Sequence, residues 1–206
     1  SGIQRCSSGS IIFRNTEISK LPSHKIARMG IGRLFQGARV FDELSILDNM
    51  LLGSGYGNHE WPFYNLLFPK KISKHEKELC DMAAEVFSSL FGADNYFWTN
   101  RHKPASDLSF GQQRLLALAV LMMSDYDLFL LDEPTAGVNI RFIDQIGRTI
   151  EKMNHRKTVL LIEHNMQFVR QVAGHCLFMN DGNIVAKGSP QKVLDDPGVQ
   201  KIYLGF

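Results

Sequence analysis

Residues 108–139, LSFGQQRLLALAVLMMSDYDLFLLDEPTAGVN, decide the fold of this chain. Ser109 is a good helix N-cap, and Gln112 three residues later completes a capping-box pattern. The apolar run Leu115–Met123 predicts a helix too hydrophobic to lie on a surface. Asp125, Tyr126 and Asp127 break that helix. Leu128 to Leu131 then reads as a short strand buried on both faces, as in a parallel sheet. Asp132 and Glu133 stand where the strand stops. Ligands of open α/β sheets bind outside the carboxyl ends of strands, so the two acids are placed for chemistry.

Working outward, the flanking segments fit the same architecture. Upstream, Ser10–Phe13 predicts a short strand, His24–Met29 a helix stopped by Gly30, and Ile31–Phe35 a second strand followed by Gln36. A helix capped by Ser45 carries Ile46, Leu47, Met50 and Leu51 at helical spacing. Gly53 to Lys71 is irregular and aromatic. Its G-x-G-x-G lacks a following Lys-Ser or Lys-Thr and a preceding strand, so a flexible connection is the better reading than a phosphate loop. Trp61, Phe63 and Tyr64 beside Lys70 and Lys71 read as core packing before membrane contact. Ser73–Phe91 predicts an amphipathic helix with a Ser73–Glu76 capping box and a stop at Gly92. Asp94–Asp107 is a polar connection. Downstream come helix Ile140–Met153, strand Thr158–Ile162, helix Asn165–Ala173, strands Cys176–Met179 and Asn183–Lys187 around an Asp181-Gly182 turn, and a helical tail. Strand alternating with helix implies right-handed crossovers and a mainly parallel sheet.

Composition excludes several classes. With 23 Lys and Arg against 21 Asp and Glu, the net charge is +2, and no long run of either sign marks a nucleic-acid surface. The longest apolar run is about half of the ~18 residues that a membrane span needs. Cys6, Cys80 and Cys176 suggest neither a disulfide framework nor a zinc cluster. The N-terminus lacks the apolar core of a secretory signal. Together these point to a soluble, cytosolic α/β protein.

Taken together, the motifs resemble the nucleotide-binding subunit of ATP-binding cassette (ABC) transporters over essentially the whole chain. LSFGQQ at 108–113 is similar to the family's LSGGQ signature, LFLLDEP at 128–134 to Walker B with its glutamate, and AGVN at 136–139 to the D-loop. Gln36 matches the Q-loop glutamine and His164, after TVLLIE, the switch histidine. IARMGIGRLFQ, LSFGQQR, DEPTAGVN and KGSPQKVLDDPGVQKIYLG lean towards importers of branched-chain amino acids and similar small polar solutes.

The resemblance implies a P-loop NTPase-like α/β fold, with a mainly parallel sheet flanked by helices and a helical subdomain. Its divisions would be 1–44 (truncated ATPase core), 45–108 (helical subdomain leading to the signature) and 109–206 (signature helix, remaining core and C-terminal tail). The implied cofactors are ATP and Mg²⁺. Glu133 would hold and polarise the attacking water as general base, and Asp132 would orient Mg²⁺ through its waters. Gln36 would reach both Mg²⁺ and that water, and His164 would donate to the γ-phosphate. Ser109, Phe110, Gly111 and Gln112 would meet the nucleotide held by an opposite subunit, with Gly137 and Asn139 of the D-loop beside them. Phe110 stands where the broader family has glycine, as is common in the importer subgroup. Asn139 replaces a frequent Asp, which fits that subgroup, and Ile140 replaces a frequent Pro. Implied partners are transmembrane permease subunits, a second ATP-binding subunit and, indirectly, a solute-binding protein, at the cytoplasmic face of the cell membrane.

No G-x-x-x-x-G-K-[ST] occurs in the 206 residues. In the family that Walker A loop lies upstream of the strand matching SIIF, joined to it by a helix whose last turn resembles Ser1–Gln4. The expectation is a cassette without its N-terminal portion, short of a central strand and binding ATP weakly or not at all. Three functional classes stay open. The chain is a transporter ATPase, or a non-catalytic cassette that completes a partner's site, or a DNA-repair or chromosome ATPase. The 72 residues between Gln36 and Ser109 are too few for the coiled coil of the third class. Exporters usually carry a membrane domain on the same chain.

Overall fold

The computed structural model describes the chain except residues 5, 36–39, 55–68, 156 and 205–206, with the backbone alone at 69–73 and 204. The expected features at Gln36 and at Trp61, Phe63 and Tyr64 lie outside the described residues, as does most of the G-x-G-x-G stretch. Residues 1–10, where described, carry neither helix nor strand.

Two short antiparallel strands, β1 (Ile12–Phe13) and β2 (Thr16–Glu17), form a hairpin turning through Arg14 and Asn15. Only the first was expected; Thr16–Glu17 is exposed and too short to show alternation. Then follow α1 (Ser23–Arg28) and β3 (Ile31–Leu34). The Ser45 hydroxyl caps α2 (Ile46–Gly53) by accepting from the Asp48 N–H at 3.0 Å.

The amphipathic helix begins earlier than its sequence pattern suggested: α3 runs over Pro69–Phe91. Ser73 therefore lies within the helix and not at its start. Proline suits the first helical turn because its missing N–H would have no partner there. Leu79, Ala83, Val86, Phe87 and Leu90 are buried as expected, whereas Met82 is exposed. The helix stops before Gly92, whose φ of +94° only glycine adopts without strain. The polar connection Asp94–Asp107 carries α4 (Tyr96–Thr99) and a 3₁₀ turn (Ala105–Asp107). Phe97 is the reason, since its ring stacks on Phe87 at 5.5 Å and meets Phe91 at 4.8 Å.

The central helix α5 (Phe110–Met122) has Ser109 as N-cap and the complete Ser109–Gln112 capping box. Leu115, Leu116, Leu118 and Ala119 are buried against α2, α3 and α6 (Ile140–Asn154). Each such leucine contributes about 1.5–3 kcal/mol. β4 (Leu128–Asp132) lies between β3 and β5 (Thr158–Ile162), and all three are parallel. Next come α7 (Met166–Val172), an antiparallel pair β6 (Cys176–Asn180) and β7 (Asn183–Gly188), α8 (Pro190–Leu194) and α9 (Pro197–Leu204). No helix among the described residues is long and apolar enough to cross a membrane.

One expectation about β4 is corrected. The strand is not buried on both faces: Phe129 and Leu131 are buried, whereas Leu128, Leu130 and Asp132 alternate onto a partly open face. On the same face of β5, Leu160 is 53% and Ile162 57% exposed. Among the described residues, β5 ends the three-stranded sheet, and β6–β7 forms a separate one with Leu177, Met179, Ile184 and Val185 exposed. Both sheets therefore expose apolar side chains among the described residues.

Such a surface beside a free strand edge favours association. Sedimentation velocity is expected to show concentration-dependent self-association of the isolated chain, reduced by a Leu160→Lys/Ile162→Glu pair. A monodisperse wild-type monomer across the concentration series would overturn this.

Candidate functional site

The candidate site lies at the carboxyl ends of β4 and β5. Asp132 is the last residue of β4, and its carboxylate points to the sheet's open face. It borders a hollow lined by Arg33, Leu130, Leu131, Leu160 and Ile162. Arg33 lies opposite Leu130 in the β3–β4 register, and its Nη2 donates to Asp132 Oδ2 at 2.9 Å. Its Nη1 reaches the Ser1 hydroxyl at 2.5 Å, and its guanidinium lies 4.2 Å from the Phe35 ring centroid. Arg33 is not among the residues that the sequence motifs single out. Its signal was a lone cation inside the apolar strand IGRLF.

Glu133 follows in a left-handed conformation, φ +45°, unusual for a residue with a side chain. Its N–H donates to the Ile162 carbonyl at 2.9 Å, tying the end of β4 to the end of β5. That tie brings Glu133 Oε1 within 3.8 Å of His164 Nδ1. The His164 side chain is 65% exposed, open to a ligand. Two residues singled out separately in the sequence thus share one site.

The signature segment forms the start of α5. The Ser109 N–H donates to Gln112 Oε1 at 2.9 Å, and the Gln112 N–H to Ser109 Oγ at 3.4 Å. Each side chain thus satisfies the other residue's backbone N–H, whereas the Phe110 and Gly111 amides at the helix start have no intrahelical acceptors. Gly111 has a further reason to be glycine, because a β-carbon there would come within 2.5 Å of Phe142 on α6. The D-loop residues lie against this corner. A β-carbon at Gly137 would meet the Phe110 ring at 3.5 Å, and the Asn139 side chain caps α6 by accepting from the Arg141 N–H at 3.1 Å. Asn139 therefore has a structural task beside the one the resemblance implied.

Beneath the site lies Arg114, a buried cation on α5. Its Nη1 donates to the Phe35 carbonyl at 3.3 Å. Desolvation lowers its pKa, opposed by the negative charge of Glu163. Among the described residues no cluster of three or more His, Cys, Asp or Glu could hold a metal unaided. Mg²⁺ commonly takes one or two carboxylates and completes its octahedron with waters and phosphate oxygens. A single carboxylate at a strand end, as Asp132 offers, fits that demand.

Three parallel strands, with Asp132 and Glu133 at the carboxyl end of the middle one and helices packed against them, form a P-loop NTPase-like α/β fold. The chain belongs to the ABC transporter family, whose model, described as "ABC transporter", matches residues 1–136. It is 34% identical over 206 residues to the high-affinity branched-chain amino acid transport ATP-binding protein BraF of Pseudomonas aeruginosa, covering 99% of this chain and 79% of that protein. It is 30% identical, with the same coverage, to the corresponding LivG protein of Escherichia coli. The crystal structure of the ADP conformation of an ABC transporter's ATP-binding cassette superposes with a TM-score of 0.78 at 28% identity, covering 100% of this chain and 80% of that one. The family hydrolyses ATP.

Proposed function

We propose that the chain is part of the ATP-binding and ATP-hydrolysing subunit that powers uptake of branched-chain amino acids or similar small polar solutes. The observation that carries this reading is the approach of Glu133 to His164 across the ends of β4 and β5, with Asp132 alongside. The likeness to BraF and LivG, whose names give branched-chain amino acid transport, supports the solute class. The subunit works at the cytoplasmic face of the membrane with permease subunits, a second ATP-binding subunit (identical or different) and a solute-binding protein.

Phosphoryl transfer depends on positioning and charge stabilisation more than on covalent help. Glu133 holds a water and takes its proton. His164 donates to the transferred phosphoryl group. Asp132 would hold the metal through its waters, and Arg33 fixes that carboxylate's orientation. Gln36, which lies outside the described residues, would reach the same metal and water. Bound at Asp132 with the nucleotide, Mg²⁺ would supply charge neutralisation to the phosphates. Ser109, Phe110, Gly111 and Gln112, with Gly137 and Asn139, would face the nucleotide of the opposing subunit, which the positive dipole end at the start of α5 would favour. Residues 45–108 form the helical subdomain, and 1–44 and 109–206 the ATPase core.

The test is uptake in proteoliposomes containing the complete transporter. Radiolabelled leucine is expected to accumulate only with ATP on the subunit's side and binding protein on the other. Accumulation without ATP, or none for leucine, isoleucine, valine and related small polar solutes, would overturn the reading.

A further inference from the structure

Glu163 lies between β5 and His164, and no role assigned so far uses it. Its carboxylate is fully engaged. Oε1 accepts from the Thr135 N–H at 3.0 Å and from the Thr135 hydroxyl at 2.5 Å. Oε2 accepts from the backbone N–H groups of His164 at 3.1 Å and Asn165 at 3.4 Å. Thr135 is buried, two residues beyond Glu133. One carboxylate therefore spans the turn that carries Glu133 and the turn that carries His164.

The bridge acts where the backbone is least free. Glu133 holds a left-handed φ, a conformation that persists only when its surroundings over-determine it. The Glu133 N–H bond to Ile162 fixes one side of that residue, and the Ala136 N–H closes the turn onto the Glu133 carbonyl at 3.1 Å. Glu163 holds Thr135, two residues further along, through two bonds, and its charge also acts on Arg114. Hydrogen bonds to an ionised acceptor are the strong class, so this bridge resists separation of the two turns.

We propose that Glu163 is a positioning residue of the hydrolytic site, its carboxylate locking the Glu133 turn to the His164 turn. The proposal rests on the functional reading above, in which those two side chains act on water and phosphate.

The test compares wild type, Glu163→Gln and Glu163→Asp in the complete transporter. Glutamine keeps the shape, but its NH₂ cannot accept, so one of the two turns loses its acceptor. Hydrogen exchange without nucleotide is expected to speed up by about tenfold or more at the Thr135, His164 and Asn165 amides, with α6 unchanged. The turnover number should fall by about 10–100-fold with KM for ATP held within a few-fold, since small misplacement of reacting groups is costly. Glu163→Asp, keeping the charge, should recover part of both. Unchanged exchange at the three amides would overturn the lock. Faster exchange with full turnover would overturn the positioning role, and equally faster exchange in α6 would mean general loosening and overturn it too. Glu133→Gln in parallel separates the two readings. Retained hydrolysis there refutes the assignment of the base, whereas the exchange data still decide the lock.

Discussion

Glu133→Gln is expected to lower the ATPase turnover of the transporter complex containing this chain by about 10²–10⁴-fold, the usual worth of a positioned general base. Glutamine matches glutamate in shape but cannot take a proton. Nothing in the sheet has to move, because Glu133 is anchored by its backbone N–H to Ile162. KM for ATP should therefore stay within a few-fold while the turnover number collapses, the signature of an interaction made only in the transition state. Steady-state phosphate release over a range of ATP concentrations reads both quantities. Turnover equal to wild type would remove Glu133 from the base's role. The change also removes the carboxylate that lies 3.8 Å from His164 Nδ1.

Phe129→Ala is expected to destabilise the fold by about 3–5 kcal/mol, the range for truncating a buried aromatic. Phe129 is 1% exposed in the middle of β4, hydrogen-bonded between two strands and packed edge-on to Tyr126 at 6.1 Å. Such a loss is a large share of the ~5–15 kcal/mol that holds a domain together. Urea unfolding of wild type and variant under identical conditions measures it. Leu160→Ala, on the open face of the same sheet, should change stability by no more than about 0.5 kcal/mol, as surface substitutions do. Similar losses at both positions would mean that the two faces are equally buried, contrary to the alternation along β4 and β5.

Much of the site was legible because its signals are local. Ser109 and Gln112 announced a capping box from their spacing, and the box is formed. LFLLDE announced a strand ending in acids, and the strand ends at Asp132. The start of α3 was misplaced because Ser73 and Glu76 imitate a cap inside a helix that begins at Pro69. α4 was missed because a four-residue helix shows no periodicity, and its reason for folding is the distant Phe87 ring.

The sequence by itself determined the α/β architecture, the order of the motifs and the residue types offered for chemistry, since capping and apolar periodicity are properties of neighbours along the chain. Only the tertiary structure decided which face of β4 stays open, that Arg33 holds Asp132 across 99 residues, and that Glu163 joins two turns across 28. These are meetings of side chains brought together by strand register, and register is set by the packing of the whole sheet.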